Sequence, residues 1–423
     1  MNKIIARDIL KNSKALDENK PLSWHEPTKD FTDNQWYFYQ ARHTVYFTAF
    51  SNDNITIKTL ENIAKNLVEL APQLLAGFDN NDNGKNFPTE ILQQICSIKT
   101  VESLKDYPDK WNIEGSEVFS SANLPLFRIK CVVKKNSSDG EHKAMILILS
   151  THALIEGADV SLLTSSKKTI VNDDRAKNTA FLTKAYYKFI ALFIAPLQVL
   201  AAAILVPKTH DKAFKTLVVE HTKLRSIARS LGVSRRALMF ALVAYGLNNG
   251  GKGFSKRVVS IVYADMDRVR DYKVNSDFFK FHAMTVKFKV KQNFVEFVQG
   301  AEKALKKVEF KNPSSSQDFF DAIFSVHRFM KKYIPFIYSE KTFRFNAGFD
   351  LNLSLTSPQR LNGDFTKLFV EPVYCGAFNP GLNVCVFIPG RTKTSFNFAM
   401  SKHHLKNVAK IESLLEQLDL NTK

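Results

Sequence analysis

The sequence predicts a two-lobed α/β (α+β) protein in which each lobe is a mixed β-sheet flanked by helices. The chain has 423 residues, of which 45% are hydrophobic, enough to bury a large core in two or three units. Strand-type and helix-type patterns alternate in both halves, and a strongly apolar segment separates them. We therefore expect an N-terminal lobe at 1–178, a hydrophobic helix with a linker at 179–212, and a C-terminal lobe at 213–423.

The first lobe is predicted to begin with a strand at Thr44–Phe50 and a helix whose apolar residues recur at helical spacing from Leu60 to Leu70. Two more strand candidates, Leu124–Lys134 and Lys143–Ser150, are separated by a polar segment that contains Asp-Gly. Such a step between β-rich runs is typical of a hairpin, so we expect these strands to pair antiparallel. The second of them ends directly before Thr151 and His152.

The segment Phe189–Pro207 is the most hydrophobic run of the chain and carries no charge, with lysines on both sides of it. A bilayer span needs about 20 apolar residues, and Pro196 would break or kink a helix in the middle of the run. Three placements are therefore open: a buried helix between the lobes, an interfacial or re-entrant membrane anchor, and a true span.

The second lobe is predicted to open with a basic amphipathic helix at Ala213–Leu231, ended by Gly232, and a second helix at Arg235–Leu247 capped by Ser234. The later elements are recognised by the same periodicities. They are strands at Arg257–Ala264, His282–Val290, Phe343–Thr356, Cys385–Ile388 and Phe396–Ala399, and helices at Phe294–Val308 and Leu405–Leu420.

The net charge of +18, from 59 basic against 41 acidic residues, favours anionic partners. We expect no nucleic acid among them, because zinc-finger spacing and an aromatic-basic signature are missing, and Lys287, Lys289 and Lys291 alternate as on a solvated strand face. The four cysteines lie far apart and show no metal or dithiol spacing, so we predict buried thiols in a reducing compartment. The N-terminus lacks the apolar run of a secretory signal, which predicts a cytoplasmic protein.

The segment that carries chemistry is Ser150-Thr151-His152-Ala153-Leu154-Ile155-Glu156-Gly157. Acyl transfer to a hydroxyl or amine needs a base that removes the acceptor proton, and a neutral imidazole titrates near the working pH. The carboxylate of Glu156, in the same turn, would brace the backbone through a partner cation, and Gly157 lets the chain turn closely. A lone histidine after a strand is more often an ordinary core or surface residue. Its context here favours His152 as a general base.

This segment resembles the motif His-His-x-x-x-Asp-Gly of the chloramphenicol-acetyltransferase-like superfamily of coenzyme-A-dependent acyltransferases. That superfamily includes condensation domains and the wax ester synthase/diacylglycerol acyltransferase group, to which this chain is most similar. His152 matches the second, catalytic histidine and Gly157 the glycine, whereas Thr151 replaces the first histidine and Glu156 the aspartate. The stretch Leu231–Leu238 also resembles the second-lobe helix of the wax-synthase-like group.

The resemblance implies an active-site tunnel between the lobes and a direct ternary-complex transfer without a covalent enzyme intermediate. It implies that Glu156 turns away from the tunnel toward Arg268 as structural support of the site. The oxyanion donor would come from the other lobe. Strand alternation puts the candidates Asn352, Ser354 and Thr356 on one face.

These observations lead to a first hypothesis, a (fatty) acyl transfer from acyl-CoA or acyl carrier protein to a hydroxyl of a lipid or long-chain alcohol. No metal and no permanently bound cofactor are expected, and the protein would contact the inner face of the membrane peripherally. A second hypothesis is a catalytically silent, condensation-like binding protein in which Thr151 and Glu156 reflect decay of the site. A third is an amide-forming condensation enzyme, which is disfavoured because no carrier domain is attached.

Overall fold

A computed structural model describes residues 33–78, 84–104, 118, 123–135, 142–154, 181–205, 212–248, 258–265, 283–309, 313–338, 342, 350–355, 368, 370–378, 383–390 and 392–420. The chain forms two compact units. The first holds a five-stranded mixed sheet and a three-stranded sheet, and the second a six-stranded mixed sheet. The predicted class, mixed sheets flanked by helices, is confirmed.

The elements are numbered in chain order over the described residues. The helices are α1 (Asp33–Gln40), α2 (Ile57–Leu70), α3 (Leu92–Ile95), α4 (Phe181–Leu205), α5 (His221–Ser230), α6 (Arg235–Leu247), α7 (Phe294–Glu309), α8 (Pro313–Tyr333), α9 (Lys402–Leu405) and α10 (Val408–Leu420). The strands are β1 (Thr44–Ser51), β2 (Ala76–Phe78), β3 (Gly84–Asn86), β4 (Cys96–Val101), β5 (Leu124–Pro125), β6 (Phe127–Lys134), β7 (Ala144–Thr151), β8 (Lys212–Glu220), β9 (Val258–Asp265), β10 (Ala283–Lys289), β11 (Leu351–Leu355), β12 (Val370–Phe378), β13 (Val384–Pro389) and β14 (Lys393–Ser401).

The large sheet of the first unit has the strand order β12-β1-β7-β6-β4. The predicted hairpin is confirmed, because β6 and β7 pair antiparallel from Phe127 opposite Ser150 to Val133 opposite Ala144. Strand β1 pairs antiparallel with β7 on one side and with β12 on the other. The central position of β1 and β7 buries nearly every side chain of both strands, which explains their apolar, β-branched sequences.

The sheet of the second unit has the order β10-β9-β11-β13-β14-β8 and packs around α6. Every residue of α6 from Ala237 to Ala244 is buried, as expected for a helix that is apolar on all sides. The predicted end of α5 and the predicted N-cap of α6 are confirmed. Gly232 ends α5 with a φ of 67°, and the Ser234 hydroxyl accepts from the Ala237 N–H. The alternation predicted for β10 is confirmed as well, since Lys287 and Lys289 are exposed on either side of the buried Phe288.

The helix predicted at Ala213–Leu231 is wrong in its first half. Residues Lys212–Glu220 form strand β8, and only His221–Ser230 is helical. Strand β8 pairs with β14 over its whole length, from Lys212 opposite Ser401 to Glu220 opposite Lys393. The β-branched residues of this stretch favour a strand once a pairing partner is present, and that partner lies far away in sequence.

Several described elements were not predicted from the sequence, among them the long helix α8 and the strand β12. Although β12 belongs to the C-terminal half of the sequence, it lies in the first unit, whereas α4 lies in the second. The division of the chain into lobes at 1–178 and 213–423, with a helix and linker at 179–212, therefore stays a prediction. The structure adds that the first sheet is completed from the second half.

We predict that replacing Ser234 by alanine lowers the free energy of unfolding by about 1–2 kcal/mol, since the N-cap of α6 and its bond to a carboxylate are lost together. The Ser234 hydroxyl donates to Glu302 at 2.6 Å while it caps Ala237 N–H at 3.2 Å. Urea unfolding followed by circular dichroism measures the change. Ser230→Ala is the control, since its hydroxyl donates to the Ile227 carbonyl in the last turn of α5, and it should change stability by less than about 0.5 kcal/mol. Equal losses in both variants would contradict the assignment.

Candidate active site

The predicted base, His152, follows directly on the last residue of β7. Strand β7 is held against β1 with Thr151 opposite Thr44, and the next pair of that register is His152 opposite His43. Directly opposed residues of an antiparallel pair project from the same face of the sheet. The register therefore places two histidines side by side, although they are far apart in sequence.

The carbonyl oxygen of His43 anchors the turn that carries His152. It accepts from the His152 N–H at 2.7 Å and from the Thr151 hydroxyl at 3.3 Å. The Thr151 hydroxyl in turn accepts from the Ala153 N–H at 3.2 Å. On the other side of β7, the Ser150 hydroxyl donates to the Leu126 carbonyl at 3.0 Å. Thr151, at the position of the motif's first histidine, thus fixes the backbone of the turn.

The side chain of His152 lies in an aromatic cluster with His43 and Phe38 of α1. The Phe38 ring stacks on the imidazole of His152, with centroids 4.5 Å apart and an interplanar angle of 14°. The two imidazoles are 4.6 Å apart, and both histidines are 7% exposed. No local sequence pattern indicates His43 or Phe38 as neighbours of His152, because the pairing of β1 with β7 brings His43 beside it.

Burial sets the protonation of this cluster. It lowers the pKa of His152 to about 4, against a smaller opposing effect of a hydrogen bond to its own backbone. Burial, together with the nearby charge that His152 would carry, also holds the pKa of His43 well below its usual range. Both rings are therefore neutral at pH 7. A neutral imidazole can accept a proton, which is the requirement for a general base.

The other predicted site residues are only partly visible. Glu156, Gly157, Arg268 and Thr356 lie outside the described residues, so their roles stay predictions. Asn352 and Ser354 lie half-buried on one face of β11, while the three leucines between and beside them are buried, which confirms the predicted alternation.

Asn352 has a property that suits an oxyanion donor. Its side-chain amide nitrogen is buried, and no hydrogen-bond acceptor for it exists in the described part of the chain. A buried N–H without a partner is uncommon and is available to a ligand. Asn352 belongs to the second unit, and its part in the reaction stays a prediction.

The described cysteines do not offer an alternative nucleophile. Cys96, Cys131 and Cys385 are free and buried, as predicted for cysteines of this spacing. Burial raises the pKa of the Cys96 and Cys131 thiols to about 12 and that of Cys385 well above its usual range. These thiols are protonated at pH 7 and are inert. Over the residues that the structure describes, no group of three or more His, Cys, Asp and Glu side chains could hold a metal ion.

The fold is that of known acyltransferases and condensation domains. The chain is similar to the wax ester synthase/diacylglycerol acyltransferase from Marinobacter aquaeolei VT8, with 11% identity, a TM-score of 0.57, and coverage of 95% of this chain and 99% of that one. It is similar to the trichothecene 15-O-acetyltransferase from Fusarium sporotrichioides, with 11% identity, a TM-score of 0.56, and coverage of 93% and 95%. It is also similar to the nonribosomal peptide synthetase cyclization-docking bidomain from Sorangium cellulosum, with 11% identity, a TM-score of 0.53, and coverage of 99% and 90%.

No protein-family model matches the chain, and no curated protein sequence matches it. At this level of identity the solved structures establish the fold and leave the chemistry to the residues themselves. The predicted resemblance to the condensation-domain-like acyltransferase fold is confirmed.

We predict that acid destabilises the protein through its buried histidines. An unfolded histidine takes up a proton near pH 6.5, whereas folded His152 does so only near pH 4, so its contribution is complete above pH 6.5 and is lost as the pH falls toward 4. One such group contributes about 3 kcal/mol in full. Unfolding free energies measured between pH 7 and pH 5 should fall more steeply for the wild type than for His152→Gln. His403→Gln, at an exposed position on α9, should keep the wild-type slope. Identical slopes in all three proteins would refute the prediction.

Proposed function

We propose that this protein is an acyltransferase that moves an acyl group from acyl-CoA or acyl carrier protein to a hydroxyl of a lipid or long-chain alcohol. One observation carries the proposal: a neutral, buried histidine is fixed at the end of β7, in a chain with the fold of acyltransferases and condensation domains. The net charge of +18 supports a phosphate-bearing donor, since both coenzyme A and the carrier's prosthetic group contain phosphate.

In the proposed reaction, the acceptor hydroxyl donates a hydrogen bond to the unprotonated ring nitrogen of His152. The hydroxyl oxygen attacks the thioester carbonyl carbon while its proton passes to the imidazole. The tetrahedral intermediate that forms carries an oxyanion, for which the side-chain amide of Asn352 is the proposed donor. The carbon–sulfur bond then breaks, and the thiolate takes the proton from the imidazolium. The products are an ester and a free thiol.

Burial of His152 makes its ring a weaker base in the first proton transfer and favours the second. Because burial disfavours the imidazolium, the proton is held only briefly and returns readily to the leaving thiolate. Stacking on Phe38 and the double anchor at the His43 carbonyl keep the ring and its backbone in one orientation. Orientation of this kind removes a large part of the entropic barrier to transfer.

We expect His152→Ala to lower the transfer rate by about 10³-fold, within the range that a general base contributes. The measurement is mass spectrometry of products after incubation of purified protein with labelled acyl-CoA or acyl carrier protein and a total lipid extract. His403→Ala should retain full activity, and a thermal melt of each variant controls for folding. Full activity in His152→Ala would overturn the mechanism. Absence of product from the wild type with every donor and acceptor would favour the silent binding protein, and an amide product would favour the condensation enzyme.

We expect Asn352→Ala to lower kcat by about 10²-fold with a smaller change in KM, because an oxyanion donor acts mainly in the transition state. Ser354→Ala tests the neighbouring candidate on the same face of β11. Unchanged kcat in both variants would remove this strand from the mechanism.

A further inference from the structure

Helix α4 exposes its large apolar side chains and buries its small ones. Its protein-facing side consists of Ala191, Ala195, Val199 and Ala202, each at most 6% exposed. The exposed side chains are between 54% and 82% exposed and comprise Phe181, Leu182, Tyr186, Phe189, Leu192, Phe193, Leu197, Leu200 and Ile204. A core helix of a soluble protein has the opposite arrangement. The apolar surface covered by these residues extends along about 35 Å of helix at 1.5 Å per residue.

The small face of α4 packs along α8. The rings of Tyr187 and Phe319 lie 5.8 Å apart, and further along both helices the Gln198 side-chain oxygen lies 2.7 Å from Nε2 of His327. Small side chains allow this close approach. The two helices run parallel, because both contacts advance in the same direction along each sequence. Helix α8 in turn packs on β10.

A buried polar bond fixes this packing. His327 is 1% exposed, and burial lowers its pKa to about 4, so the ring is neutral at pH 7. The neutral ring donates from Nε2 to Gln198 and accepts at Nδ1 from the Tyr338 hydroxyl, 2.8 Å away. Removing α4 from α8 would leave these polar atoms unsatisfied in an apolar setting, which is strongly unfavourable.

Of the three predicted placements, a helix buried on all sides is excluded by the exposure of α4. The stretch Phe181–Ala202, with 22 residues, is long and apolar enough to cross a membrane. Core helices of soluble proteins can also have this length and composition. A spanning helix would have to leave α8 and break the Gln198–His327 bond. A helix that stays on α8 and lies flat in the interface keeps that bond.

The apolar surface continues at the C-terminal end of α8 and is flanked by positive charge. Phe329 and Tyr333, in the last turns of α8, are 60% and 61% exposed, and Phe336, three residues beyond its end, is 85% exposed. The only charged residues of α4 are Lys184 and Lys188, both exposed. Aromatic rings and lysines beside an apolar stripe are the composition of helices that lie in a lipid interface.

We propose that the outer face of α4, together with the exposed aromatic end of α8, docks on an anionic lipid bilayer. The helix lies parallel to the membrane plane, its large apolar side chains enter the boundary between headgroups and acyl chains, and its lysines meet lipid phosphates. A bilayer fits this face better than a protein partner, because a protein interface carries about one hydrogen bond per 100–200 Å² and from Phe189 to Leu205 the helix has almost no polar side chain. The inference is independent of the transfer chemistry, since binding needs no turnover.

The test is flotation of the full-length protein with vesicles of phosphatidylcholine alone and of phosphatidylcholine with phosphatidylserine. The wild type should float with the anionic vesicles and bind neutral ones at least fivefold more weakly. Phe193→Gln with Leu197→Gln should lower binding to anionic vesicles at least tenfold. Lys184→Gln with Lys188→Gln should remove most of the preference for anionic vesicles while leaving binding to neutral vesicles unchanged.

The matched control is Val295→Gln with Leu420→Gln, which makes the same change at exposed helical positions on α7 and α10 and should bind as the wild type does. His152→Ala should also bind normally, which separates this proposal from the proposed activity. Wild-type protein that stays with the unbound fraction, or a Phe193/Leu197 variant that floats like the control, would overturn the proposal. Light scattering measures the oligomeric state in parallel. If the wild type is a dimer that does not bind vesicles, and Phe193→Gln with Leu197→Gln makes it a monomer, the face belongs to a second copy of the chain instead.

Discussion

The carbonyl oxygen of His43 is the point on which the geometry of the candidate site depends. It accepts two hydrogen bonds from the turn after β7, one from the His152 backbone and one from the Thr151 side chain. Both bonds require that β1 and β7 keep the register that sets Thr44 opposite Thr151. A slip of one residue would turn every side chain of the strand to the other face. The position of His152 thus depends on the pairing of β1 with β7 as well as on the short motif around it.

The same arrangement explains why the site contains two imidazoles. The first histidine of the familiar motif is replaced by Thr151, yet a second histidine reaches the same neighbourhood from the adjacent strand. Burial keeps both rings neutral beside Phe38, and the charge that His152 would carry lowers the pKa of His43 further. The burial that keeps His152 unprotonated at physiological pH therefore also lowers the stability of the fold in acid.

Local patterns predicted much of this structure, and non-local pairing accounts for what they missed. The hairpin of β6 and β7, the capped helix α6 and the alternation of β10 are encoded within a few neighbouring residues, and each was predictable. Strand β8 was mistaken for a helix because its partner β14 lies far along the chain. His43 was missed for the same reason, since nothing in its own neighbourhood indicates that it faces His152. The exposure of α4 could not be predicted either, because an apolar sequence does not show whether other parts of the protein cover it.

The crossing of β12 has a consequence for the order of folding. Strand β1 lies inside the first sheet only because β12, from Val370 to Phe378, covers its outer side. During synthesis the first seven strands leave the ribosome long before β12 does, so until then β1 has a free edge with unpaired backbone groups. Pairings of such large sequence separation form slowly. The nascent chain therefore carries this unpaired, aggregation-prone edge through most of its translation.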